Sequence, residues 1–208
     1  MSKVRIYSVA LLVMLAVESP NVRADFMTTG NFNQTPATQV YLYQINITDY
    51  TAFSATTANA GTDPGLDTML FLFKSDFKGL EANDDTGGNP QSTLSAASAF
   101  GPTSNGTYYL GVTISANVPD DGANPIFPLA LGSTTEVPAD PSAGPAVKFQ
   151  QLFDPPPPSQ VYQGNFRLDV TGADLVGPAQ LVPEPSSLAL VGLGVAGVLG
   201  CVPRRKVA

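Results

Sequence analysis

The sequence predicts an all-β fold, an antiparallel β-sandwich, and three observations lead there. No segment before residue 183 keeps apolar residues at helical spacing over three turns. Roughly seven short runs rich in β-formers alternate instead with clusters of Gly, Pro, Asn and Asp. Residues 25–182, between two unusual chain ends, are also long enough for one domain with its own core. No repeat at a fixed period divides that stretch.

Taken in order, Lys3 and Arg5 precede the apolar run Ile6–Val17, and Val22-Arg23-Ala24 has the small-x-small form of a cleavage site. Residues 1–24 therefore read as a secretory signal peptide, cut by signal peptidase between Ala24 and Asp25, although an earlier cut also fits. Residues 25–39 are polar and form a lead-in. Val40–Ile47 alternates, with Tyr41, Tyr43, Ile45 and Ile47 on one side, as a strand does. After a turn at Thr48-Asp49, Tyr50–Thr56 is rich in β-formers, and Asp63-Pro64-Gly65 is turn chemistry. Asp67–Lys74 reads as a strand buried on both faces, because Met69 through Phe73 are all apolar. Turns follow at Ser75–Leu80 and at Asn83–Gly88. Ser92–Phe100 is a weaker strand, and Asn105-Gly106 leads into the alternating strand Thr107–Ser115. Residues 117–145 form a long Pro/Gly-rich loop with one edge strand at Ile126–Leu131. Pro155–Pro158 is a polyproline spacer, Val161–Thr171 the last strand, and 173–182 a linker. The sandwich domain thus spans 40–172.

The last residues have a distinct plan. Val182-Pro183-Glu184-Pro185-Ser186-Ser187 precedes the uncharged run Leu188–Val202, and Arg204-Arg205-Lys206 closes it. As a helix the run extends about 22 Å, short of a hydrocarbon core of roughly 30 Å, with Ser186, Ser187 and snorkelling basic side chains making up part of the difference. The basic end should stay cytoplasmic, which places the rest of the chain outside. Residues 183–208 resemble the PEP-CTERM sorting signal of Gram-negative bacteria: a Pro183-Glu184-Pro185 motif, a short transmembrane helix at 188–202, and a basic stop at Arg204, Arg205 and Lys206. The resemblance implies an exosortase as processing enzyme, transient anchoring in the inner membrane, and release to the cell surface or extracellular matrix. Retention of the helix as a permanent anchor is the competing expectation.

Composition excludes several chemistries. The whole chain has 10 Lys+Arg, 17 Asp+Glu and no histidine. Without the six basic residues and Glu18 and Glu184 of the two ends, 4 basic and 15 acidic residues remain, a net charge of −11. Such a field repels nucleic acid. Histidine-based acid–base catalysis and histidine-ligated metal sites are impossible. The one cysteine, Cys201, lies in the tail, so the domain has neither a disulfide nor a thiol nucleophile.

A second likeness runs through the middle. Asp67–Phe73, Gly79-Leu80, Asn83-Asp84-Asp85, Gly106–Val112 and Phe166–Gly172 occur in the order of a bacterial pre-peptidase C-terminal (PPC) domain, which they resemble. The likeness implies a jelly-roll-like sandwich and a non-catalytic role, with calcium or matrix polymers among the ligands of such domains. Asp63, Asp67, Asn83, Asp84 and Asp85 supply hard oxygen atoms on two turns, the ligand type calcium takes. The plainer account is preferred, in which these side chains bond to the backbone and shape their own turns. Asp84 and Asp85 as a glycosidase pair are disfavoured, because adjacent turn carboxylates seldom face each other across a sugar. Tyr41, Tyr43, Tyr108 and Tyr109 suggest either a glycan-contacting face or, more simply, core pairs. The expectation is a non-catalytic exported surface or matrix protein, associated with biofilm exopolysaccharide or other matrix proteins. A calcium- or carbohydrate-binding module is the alternative.

Overall fold

The computed structural model describes residues 26–33, 39–129, 133–152 and 162–181. The signal peptide with its Ala24/Asp25 junction, Pro155–Pro158, and the tail with its Pro183-Glu184-Pro185 motif, 188–202 run and Arg204-Arg205-Lys206 stop lie outside those residues.

Among the described residues the secondary structure is all β, and every pairing is antiparallel. The first strands are β1 (Phe26–Phe32), β2 (Val40–Ile47), β3 (Ser54–Thr56) and β4 (Thr68–Lys74). Then come β5 (Gly79–Asn83), β6 (Thr93–Leu94), β7 (Gly106–Ile114) and β8 (Asn117–Asp120). The last are β9 (Val137–Pro138), β10 (Lys148–Gln151), β11 (Gly164–Thr171) and β12 (Ala173–Pro178). One sheet has the order β1-β11-β3-β6, the other β12-β2-β7-β4-β5-β9, and β8 and β10 form a separate ribbon.

The period-2 pattern of β2 explains its place. Tyr43, Ile45 and Ile47 enter the core shared by the two sheets, with Leu70, Leu72, Leu110, Val112, Phe166 and Leu168. Leu42, one residue out of phase, faces the opposite side of its sheet. In β4 the in-between residues Met69, Phe71 and Phe73 also face that outer side, and all three are fully buried. A second apolar cluster covers them, built from Val118, Ile126, Phe127 and Ala146. Phe71 and Phe73 lie 5.5 and 6.1 Å from the Phe127 ring.

That cover corrects the sequence reading of residues 117–145. Their described part is a third layer rather than a loose loop, and Ile126–Leu129 carries no strand: Ile126 and Phe127 act as plugs. Two further segments also differ from expectation. The lead-in contains β1, which pairs along its whole length with β11 and buries Phe32. The linker contains β12, which pairs with β2 from Ala173↔Ile47 to Pro178↔Tyr43. Both segments are weak strand formers that acquire their structure from the neighbouring strand.

Between β11 and β12 the chain changes sheets at Gly172. Its φ of +73° and a would-be Cβ 2.6 Å from the Asp49 carbonyl leave room for glycine alone. The Gly172 carbonyl accepts hydrogen bonds from the amides of Thr48 (2.9 Å) and Asp49 (3.1 Å).

Candidate functional site

Three of the five predicted oxygen ligands converge. Asp67 immediately precedes β4, and Asp84 and Asp85 immediately follow β5. Because β4 and β5 are antiparallel neighbours with Leu70 opposite Asn83, those two strand ends meet. One carboxylate oxygen from each of Asp67, Asp84 and Asp85 lies within 4.8 Å of the others. The local turns hold them there. Thr86-Gly87-Gly88-Asn89 reverses the chain with φ of +59° and +84° at its two glycines, the geometry of a type I′ turn. The Ser92 hydroxyl lies within hydrogen-bond reach of the Asp84 carbonyl (2.5 Å) and of the Thr68 carbonyl, and its one proton serves either. The Asp67 carbonyl accepts the Ser115 amide at 3.0 Å.

Burial sets the character of the site. Asp67 is 5 % exposed and Asp84 not at all. Burial pushes the Asp85 carboxyl above the usual range. The phenol of Tyr162 is raised as well, first by burial and then by the negative charge of Asp67 and Asp84. Three carboxylates this close repel one another, and a divalent cation is the partner that turns the repulsion into attraction. Calcium takes six to eight oxygens. This set fits as half of such a shell, with carbonyls and water left to supply the remainder.

The other two predicted ligands lie outside this cluster and accept other hydrogen bonds. Asp63 Oδ2 accepts the Asn165 amide at 2.6 Å and its side-chain nitrogen at 3.2 Å, tying the 63–66 turn to the start of β11. Asn83 Oδ1 accepts the Thr93 amide (2.9 Å) and the Thr86 hydroxyl (3.3 Å). A tyrosine face is also absent: Tyr41, Tyr43 and Tyr108 pack on the inter-sheet core, whereas Tyr109 lies on the outer side. Asp120, in the segment expected to be a loop, is 1 % exposed, accepts Gln150 Nε2 at 2.7 Å and lies 3.5 Å from Lys148 Nζ.

Sequence reasoning missed Glu81, because it lies between the turns placed at Ser75–Leu80 and Asn83–Gly88 and was assigned to no strand. Its side chain is fully buried near the like-charged Glu136, and neither oxygen has a hydrogen-bond partner of good geometry. Burial pushes its carboxyl up to about 7, the charge of Glu136 adds to this, and Ser98 opposes it.

The remaining determinant is in the chain end. Residues 181–206 match the PEP-CTERM protein-sorting motif. The chain carries an exosortase sorting signal. The PEP-CTERM motif implies export, anchoring in a membrane during sorting, and delivery toward the cell surface with exosortase as the processing enzyme. No curated protein and no solved structure matches the chain, so the PPC likeness rests on the residues quoted above.

Proposed function

We propose that the protein is a non-catalytic component of the cell surface or extracellular matrix, delivered there by signal peptidase and exosortase. The observation that carries this reading is the PEP-CTERM motif at 181–206. Burial of the carboxylates supports the absence of catalysis, since Asp84 is inaccessible to a polymer substrate. The acidic surface favours partners other than nucleic acid, among them exopolysaccharide and other matrix proteins of a biofilm. The test is the intact mass of the protein recovered from the extracellular matrix of its own cells. A mass that begins near Asp25 and ends between Val182 and Pro185, alone or with a covalent addition, is expected. A mass running through Ala208, in a membrane fraction, would establish a permanent anchor.

The convergence of Asp67, Asp84 and Asp85 favours a second reading, in which this matrix protein is calcium-loaded. The ion would join the beginning of β4 to the end of β5 and stabilise the fold. Calcium at millimolar concentration should then raise the melting temperature by several degrees, and Asp84→Asn should remove the rise. Equal melting with calcium and with a chelator would overturn this reading.

A further inference from the structure

The hairpin that joins β4 to β5 separates two adjoining cavities of about 380 and 180 Å³, both bordered by Lys74 and Leu80. The larger one is lined by Ser75, Thr103, Thr107 and the buried Tyr108 as well. Ser75, Thr103 and Thr107 are exposed, and their hydroxyls make no hydrogen bond among the described residues. Tyr108 is fixed, since its hydroxyl donates to the Ser104 carbonyl at 2.9 Å. The site therefore offers uncommitted hydroxyls around an apolar floor of Leu80 and Tyr108, with an ammonium group at its edge.

The charge is unusual for this molecule. Four cations remain after both ends are set aside: Lys74, Lys78, Lys148 and Arg167. Lys148 pairs with Asp120, and Arg167 pairs with Asp169 at 2.7 Å. Lys74 and Lys78 have no carboxylate partner among the described residues, although the domain carries an excess of acid. Both line the cavities. No carboxylate lines the larger cavity, where Lys74 is the one charged group; Asp140, which accepts the Ser142 hydroxyl at 2.6 Å and stays ionised, lies beside the smaller one. The turn itself is held rigidly. Phe77 adopts a left-handed φ of +62°, a conformation costly to a residue with a Cβ. Its ring stacks on Tyr109 at 4.1 Å, and its carbonyl accepts the Ala146 amide at 2.9 Å. This fixes the turn that carries the two lysines.

We infer that this groove binds an acidic polysaccharide, with Lys74 contacting a uronate carboxylate and the surrounding hydroxyls contacting the sugar ring. The inference rests on the matrix reading above and adds the class of polymer. Polygalacturonate oligosaccharides titrated into the exported protein at about 0.15 M salt, where the repulsion from the domain's distant carboxylates is screened beyond about 8 Å, should bind, and dextran oligosaccharides should not. Lys74→Gln should weaken binding about tenfold, the loss of one charge-assisted hydrogen bond. A double variant, Lys74→Gln with Ala60→Lys, restores the net charge at an exposed distant site and should remain as weak. Absence of polygalacturonate binding, equal binding of dextran, or recovery in the double variant would each overturn the assignment. If binding fails while the protein still fractionates with the matrix, only this site is lost. Binding by a protein absent from the matrix would instead overturn the proposed role and leave the site standing.

Discussion

Glu81 and Asp121 show two carboxylates of one chain driven in opposite directions. Buried Glu81 is held at about 7. Asp121 is only half-buried, and its oxygens accept the amides of Asn124, Gly144 and Ala123, which hold it down at about 2. The consequences for stability have opposite signs. Unfolded Glu81 ionises near 4.5 while the folded protein keeps its proton, so stability should fall as pH rises from about 4.5 to 7 and then level off. Full expression of that shift corresponds to roughly 3 kcal/mol. Glu81→Gln should flatten the melting temperature between pH 5 and pH 8 and raise it at pH 8. An unchanged slope in the variant would show that Glu81 does not control it. Asp121 acts the other way, contributing stability above its unfolded value of about 3.8 that is lost as pH falls toward 2.

The covering of β4 dominates at the level of the element. Phe127 belongs to a segment dense in proline and glycine, yet it fills the space over Phe71 and Phe73. Phe127→Ala should cost about 3–5 kcal/mol, measured by denaturant unfolding. A loss under about 1 kcal/mol would mean that the third layer is dispensable. The sequence already held half of this result. Met69, Phe71 and Phe73 alternate with Leu70 and Leu72, so a sheet one strand thick could not bury both sets, and some other segment had to cover the outer side. Which segment did so was not legible, because Ile126 and Phe127 have no periodicity around them. β2, β4, β7 and β11 were legible for the opposite reason, having enough apolar residues in phase to declare a face. β1 and β12 hold Gly30, Asn31, Gly177 and Pro178, and only pairing with β11 and β2 makes them strands. The acidic site was legible in part. Asp67 and Asp84-Asp85 flank one hairpin, so their meeting follows from local pairing. Asp63 is withdrawn by Asn165, about a hundred residues away, and no local pattern encodes that bond.

For the whole molecule, a short address at the chain end accompanies a domain that carries its own charge pattern. Sorting should depend on Pro183-Glu184-Pro185 and be indifferent to the sandwich. Replacing Glu184 by Ala should leave the uncut protein in the membrane fraction with an unchanged melting temperature, whereas Asp84→Asn should leave the extracellular yield unaltered. A drop in yield for both would mean that export responds to the state of the fold. The crossing at Gly172 also determines how tension travels. A pull on the C-terminal end enters through β12, held to β2 in one sheet, and continues through Gly172 into β11, held by β1 and β3 in the other. The point of attachment thus loads both layers in series, and a particle dragged by flow while tethered there would have to unzip its first sheet before strain reached the second.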